Sequence, residues 1–212
     1  MGIVGSLLLS TALAQPPPDG GVLRHAVVVG ANDGGPDMEP LLYAERDAGR
    51  FVDVLTQLGG FEPGQATLLR SPDRDELDSA LRHHSALAQA NPQDLFLFYY
   101  SGHADAVSLR LGAEQVPFAD LKQQIRDLPS EVSLGVLDAC RSGEITRIKG
   151  FKVTAPFATE DNLTANGEAW LTATSADEQA QESDRLQGSF FTHYLLSGLR
   201  GAADARPGET GD

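Results

Sequence analysis

Apolar and polar positions along the chain follow two alternating periods. Short, mostly apolar runs occupy residues 24–30, 66–69, 95–100, 132–137 and 169–173. Such runs are the pattern of strands buried on both faces. Between them lie segments with helical spacing. Residues 41–58 place apolar side chains at 41, 44, 48, 51, 52, 55 and 58, a stripe stopped by Gly59-Gly60. Residues 73–90 predict a second helix with acidic groups in its first turn, 118–128 a third before Pro129, and 190–199 a fourth. Residues 107–116 alternate weakly, as a small hairpin would. Strand–helix alternation predicts an α/β fold, a three-layer αβα sandwich around a mainly parallel sheet. In such a sheet the ligand site lies outside the carboxyl ends of the strands.

Outside these elements the composition changes. Residues 1–14 are apolar and end in Ala12-Leu13-Ala14, which reads as the core and cleavage site of a secretory signal peptide, although no basic residue precedes Arg24. Export to the periplasm or the medium is expected, with a cytoplasmic location if the leader is not a signal. Residues 15–23 are a Pro/Gly-rich linker, 24–200 the folded domain and 201–212 a polar, flexible tail. The chain ends soon after the last predicted helix.

Charge narrows the function classes. The 212 residues carry a net charge of −14 and no basic stripe, which argues against nucleic acid and anionic membranes as partners. One cysteine excludes an internal disulfide, and the five histidines lack zinc-ligand spacing, so no metal site is expected. His83 and His84 sit in a polar helical stretch and are expected to be exposed. The glycines after the first strand lack the dinucleotide fingerprint.

Two apolar runs end in reactive groups. Residues 95–100 lead into Ser101-Gly102-His103, and 132–137 into Asp138-Ala139-Cys140-Arg141-Ser142-Gly143. A thiolate is the reactive form of cysteine, and an imidazole can take its proton and later return it to a leaving amine. The interval from 103 to 140 fits a strand, a crossover helix and the next strand, so the two residues can end adjacent strands. Asp138 lies two residues before Cys140, and along a strand their side chains share a face. An ionised Asp closing an apolar strand is costly unless a cation pairs with it. Asp47 borders the apolar stripe of the first helix.

These segments resemble the two catalytic signatures of the caspase–metacaspase clan, and the leader and acidic residues are most similar to its prokaryotic metacaspase-like branch. Residues 171–179 resemble the clan's specificity loop and 188–196 its final helix, so the likeness runs from about Arg24 to Leu199. The resemblance implies a caspase-like fold and a cysteine endopeptidase with His103 as base and Cys140 as nucleophile. It implies that a backbone carbonyl orients the histidine. It also implies an oxyanion hole of the backbone N–H groups of Ala104 and Cys140. The clan usually has glycine where Ala104 stands. The donor survives that change if φ is negative there and is strained if φ is positive. Carboxylates resembling Asp47 and Asp138, with Asp177 as a third candidate, imply a pocket for substrate Arg or Lys. The expected partners are proteins or peptides with Arg or Lys before the cleaved bond.

The long unpatterned segment 141–166 holds Arg147, Lys149 and Lys152, candidate self-cleavage positions for an Arg/Lys-directed protease. No cofactor is expected to be required. Calcium activates some metacaspases, but no acidic loop here names its ligands. The alternative reading is an inactive caspase-like scaffold or binding module; a different cysteine hydrolase on a similar sheet is a third.

Overall fold

In the computed structural model, residues 22–88, 95–139, 167–173 and 182–204 are described. Cys140, Arg147, Lys149, Lys152 and Asp177, the leader and residues 205–212 lie outside them. The chain runs β1 (Arg24–Ala31), α1 (Ala44–Gln57), β2 (Ala66–Arg70), α2 (Arg74–Ala88), β3 (Leu95–Gly102), β4 (Ser108–Leu111), β5 (Glu114–Pro117), α3 (Phe118–Arg126), β6 (Val132–Asp138), β7 (Gly167–Thr172), β8 (Glu182–Ser183), β9 (Gly188–Ser189) and α4 (Phe190–Ser197). A five-stranded sheet in the order β2-β1-β3-β6-β7 is parallel throughout.

The runs at 24–30, 95–100 and 132–137 become the central strands β1, β3 and β6 because both of their faces are covered, whereas those at 66–69 and 169–173 become the edge strands β2 and β7, which are partly exposed. One face carries Val27, Val29, Phe96, Phe98 and Leu137 against Leu77 and Leu81 of α2 and Leu121 and Ile125 of α3. The opposite face carries Val28, Leu97, Tyr99 and Val136 against Phe51, Val54 and Leu55 of α1 and Leu196 of α4. The Phe51 ring stacks on Tyr99 with centroids 4.2 Å apart, fixing α1 over β3. Burying such side chains is the main force holding the layers together, about 1.5–3 kcal/mol for each large one.

Three expectations need correction. Helix α1 begins at Ala44 rather than 41, because the N–H groups of Leu42 and Tyr43 donate to the Glu182 carboxylate at 2.9 Å each and Leu41 N–H to the Asn32 carbonyl at 2.8 Å. His84 is fully buried, unlike exposed His83, because it lies on the face of α2 that meets the sheet. Its Nε2 pairs with Thr67 Oγ1 at 2.9 Å, and burial pushes its pKa down to about 4. The third is the β8–β9 hairpin, too short to leave a periodic signal. It is tied to α1 by Tyr43 Oη donating to Asp184 at 2.8 Å and Arg46 donating to the Gln187 side chain at 2.7 Å.

Candidate functional site

β3 and β6 are direct neighbours, with Ser101 opposite Asp138 in the register. His103 follows the last residue of β3, and the chain reaches position 140 two residues beyond the end of β6. The parallel register therefore delivers both segments to one end of the sheet.

His103 is half-buried, and the groups that hold it are mostly backbone. Its Nε2 donates to the Glu39 carbonyl oxygen at 2.9 Å. A carbonyl can only accept, so Nε2 carries the proton and Nδ1 of the neutral ring is the basic nitrogen. Gly34 packs on the ring: a Cβ there would lie 2.5 Å from Cδ2 and 2.6 Å from Cγ. The carbonyl of His103 lies 2.6 Å from Tyr100 Oη, which is equally close to the Arg110 carbonyl, and it accepts from Arg110 N–H at 2.9 Å. Buried Tyr100 thus ties the end of β3 to the β4–β5 hairpin.

Ala104 forms an isolated antiparallel bridge with Leu109. The bonds of that bridge run from Asp105 N–H to Ser108 O at 3.0 Å and from Arg110 N–H to His103 O. In this bridge type the paired residues' own N–H groups turn outward, so that of Ala104 is not consumed by Leu109. Among the described residues only Ser71 and Gln187 are non-glycine positions with positive φ, so Ala104 adopts an ordinary backbone conformation without glycine. The turn behind it is fixed by Asp105. Burial works to raise that carboxyl's pKa, but donors from Val107 and Ser108 and the charge of Arg110 outweigh it and hold the group below its usual range.

The carboxylates Asp47 and Asp138 are brought together by one residue of the final helix. Asp47 is 1% exposed and Asp138 is 3% exposed. Ser189 N–H donates to Asp47 Oδ2 at 2.7 Å, while Ser189 Oγ donates to Asp138 Oδ2. Ser189 also caps α4, accepting from Thr192 N–H at 2.9 Å. Thr192 Oγ1 donates to Asp138 Oδ2 at 2.6 Å, and Tyr99 Oη lies 2.6 Å from Thr192 Oγ1. Gly188 permits this approach, since a Cβ there would collide with Asp47 Oδ1. Among the described residues the hydrogen-bond partners of Asp138 come from Ser189 and Thr192, because strand β6 ends against the cap of α4.

Burial pushes Asp47 up to about 6, against the Ser189 N–H and with the Asp138 charge adding to the rise. Burial likewise raises Asp138, opposed by the Ser189 and Thr192 donors. Among the described residues the buried Asp138 Oδ1 has no hydrogen-bond partner. Arg50 reaches Asp47 Oδ1 at 3.4 Å and the Gln187 carbonyl at 3.0 Å. A cavity of about 490 Å³ between α1 and α4 is lined by Asp47, Arg50, His193, Leu196 and Arg200 among others; neither His103 nor Asp138 lines it. Among the described residues no cluster of His, Cys, Asp and Glu could hold a metal ion, and no helix is long and apolar enough to cross a membrane.

Sequence reasoning singled out His103, Ala104, Asp47 and Asp138 but missed Gly34, Glu39, Tyr100, Ser189 and Thr192. Only Ser189 left a local signal, a capping residue directly before the apolar start of a helix. Glu39 leaves none, because it contributes a carbonyl that any residue carries.

A family model described as the caspase domain matches residues 23–209. Among solved structures, the chain is similar to the crystal structure of caspase-1 from Spodoptera frugiperda at 17% identity, with a TM-score of 0.59, over 87% of this chain and 73% of that one. That likeness shows a caspase-like fold. No curated protein matches.

Proposed function

The chain belongs to the caspase domain family, whose members are cysteine peptidases, and on that premise we propose that it is an endopeptidase cleaving after Arg or Lys. The observation that carries this reading is the oriented base. His103 has its Nε2 proton committed to the Glu39 carbonyl, so Nδ1 is free to take a thiol proton.

In the reaction, His103 Nδ1 accepts the Cys140 proton and the thiolate attacks the scissile carbonyl. The backbone N–H groups of Ala104 and Cys140 stabilise the oxyanion. The imidazolium then protonates the leaving amine, and water, deprotonated by the same imidazole, hydrolyses the acyl-enzyme. Asp138 and Asp47, with Asp177, recognise the substrate cation. The −14 charge of the chain favours cationic segments in general. Self-cleavage after Arg147, Lys149 or Lys152 matures the enzyme, calcium is not a required cofactor, and the leader directs export.

Fluorogenic peptides test the scheme. Those ending in Arg or Lys are expected to be hydrolysed and an Asp-ending peptide is not. Cys140→Ala and His103→Ala each reduce turnover by about 10³-fold or more. Equal cleavage of Arg and Asp peptides would overturn the specificity, and activity surviving in Cys140→Ala would overturn the nucleophile. Intact mass tests maturation: an active enzyme that stays a single uncut chain excludes self-processing.

A further inference from the structure

We propose that Ser189 and Thr192, at the start of the final helix, are positioning residues that hold Asp138 so that only its Oδ1 is offered to the substrate cation. The inference rests on the Arg/Lys reading above and adds residues that reading does not contain.

The argument begins with proton counting. Asp138 Oδ2 accepts two hydroxyl hydrogen bonds, from Ser189 Oγ and from Thr192 Oγ1 at 2.6 Å. Each hydroxyl has one proton to give. Thr192 has spent its own, so the 2.6 Å contact between Tyr99 and Thr192 must be donated by Tyr99. Tyr99 is fully buried, which raises its pKa well above the ordinary value and keeps that proton in place. The direction is therefore set: Tyr99 to Thr192 to Asp138. Ser189 is fixed in turn by its N–H on Asp47 and by accepting Thr192 N–H. Among the described residues every group in this relay has a partner except Asp138 Oδ1.

A buried carboxylate oxygen without a donor is costly in an isolated chain and useful in a binding site, where an ammonium or guanidinium completes it. Asp47 cannot replace it from the α1–α4 cavity, where Arg50 and Arg200 stand beside it. The hydroxyl donors favour the charged form that can bind a cation and so work against burial, which favours the protonated one. Among the described residues, the titratable groups that interact with it are Asp47 from α1, Tyr99 from β3 and Glu182 from β8, while Arg50 pairs with Asp47.

The test uses the full chain and two peptides that differ only in the residue before the cleaved bond, Lys or its uncharged analogue norleucine. The ratio of their kcat/KM values cancels the contribution of the His103–Cys140 pair. In the wild type the ratio is expected to exceed about tenfold at neutral pH and to fall as acidification protonates Asp138. Thr192→Val removes a donor to the charged form, so the fall moves to higher pH by about one unit and the neutral-pH ratio drops about tenfold. Thr192→Ser restores both. Tyr99→Phe, which deletes only the far end of the relay, shifts the curve in the same direction by less and keeps the test available if Thr192→Val does not fold. A wild-type ratio near one at every pH, or no turnover of either peptide, defeats the Arg/Lys reading and the proposal with it. A large, pH-dependent ratio unchanged in folded Thr192→Val, or in Tyr99→Phe if Thr192→Val does not fold, defeats the positioning role alone.

Discussion

The two halves of the site are held in opposite ways. His103 is half-buried, and its fixed contacts are backbone groups: the Glu39 carbonyl, the face of Gly34 and the ladder from Arg110. Asp47 and Asp138 are buried; hydroxyls from a distant segment hold Asp138, and the Ser189 N–H and the Arg50 side chain hold Asp47. A backbone clamp tolerates changes of residue type but not of volume. A hydroxyl clamp tolerates neither loss of the hydroxyl nor displacement of the helix that carries it. Orientation of His103 is thus mostly a property of the fold, while the setting of Asp138 is a property of individual side chains.

The largest expected effect strikes the side-chain half. Asp138→Ala should lower kcat/KM for an Arg peptide by about 10²–10³-fold, the loss typical of a buried charge pair deprived of one partner. Asp73→Ala, an exposed acid at the start of α2, should leave it unchanged. Similar losses in both would remove Asp138 from the pocket.

Next comes the volume of the backbone half. Gly34→Ala places a methyl group 2.5 Å from the His103 ring and should reduce kcat about 10²-fold with little change in KM. Unaltered kcat in a variant that melts like the wild type would show that the clamp is not needed.

A third effect concerns stability, and it sets the buried groups at opposite ends of the sheet against each other. His84 titrates near 6.5 when unfolded and at about 4 when folded, because burial disfavours its charged form. The unfolded chain therefore binds the proton first, and stability falls as pH drops from 6.5 to 4, by about 3 kcal/mol. Asp47 has the reverse sign. Its folded value of about 6 exceeds its ordinary 3.8, so acidification over that interval relieves the cost of its buried charge. Urea denaturation of wild type and His84→Phe at pH 7 and pH 4.5 separates the two. The variant should gain relative stability at the lower pH; an equal difference at both would show that His84 does not titrate on unfolding.

The smallest effect is the most direct check on the backbone clamp. Glu39→Ala keeps the carbonyl that orients His103, so kcat should stay within about twofold. A large loss would mean that the Glu39 side chain, not its carbonyl, serves the site.

How much of this was legible in the chain follows from the range of each interaction. Strands β1, β3 and β6 and helices α1 to α4 announce themselves because burial repeats with the local period of the backbone. The ends of β3 and β6 meet as strand–helix alternation predicts, since a right-handed crossover brings neighbouring parallel strands together. Helix α1 lost its first turn to a carboxylate contributed by residue 182, which no local window contains. Burial of His84 depended on which face of α2 met the sheet.

The layers of the fold and the family were legible along the chain, because they depend on local periodicity and on residue type, and residue type also named the groups proposed to carry the chemistry. Only the tertiary structure decided which nitrogen of His103 is basic, how the two carboxylates meet and which oxygen of Asp138 stays open. Those depend on Glu39 and His103, or Ser189 and Asp138, arriving within hydrogen-bond distance across many turns of chain. Long-range contacts of that kind are set by packing the whole sheet.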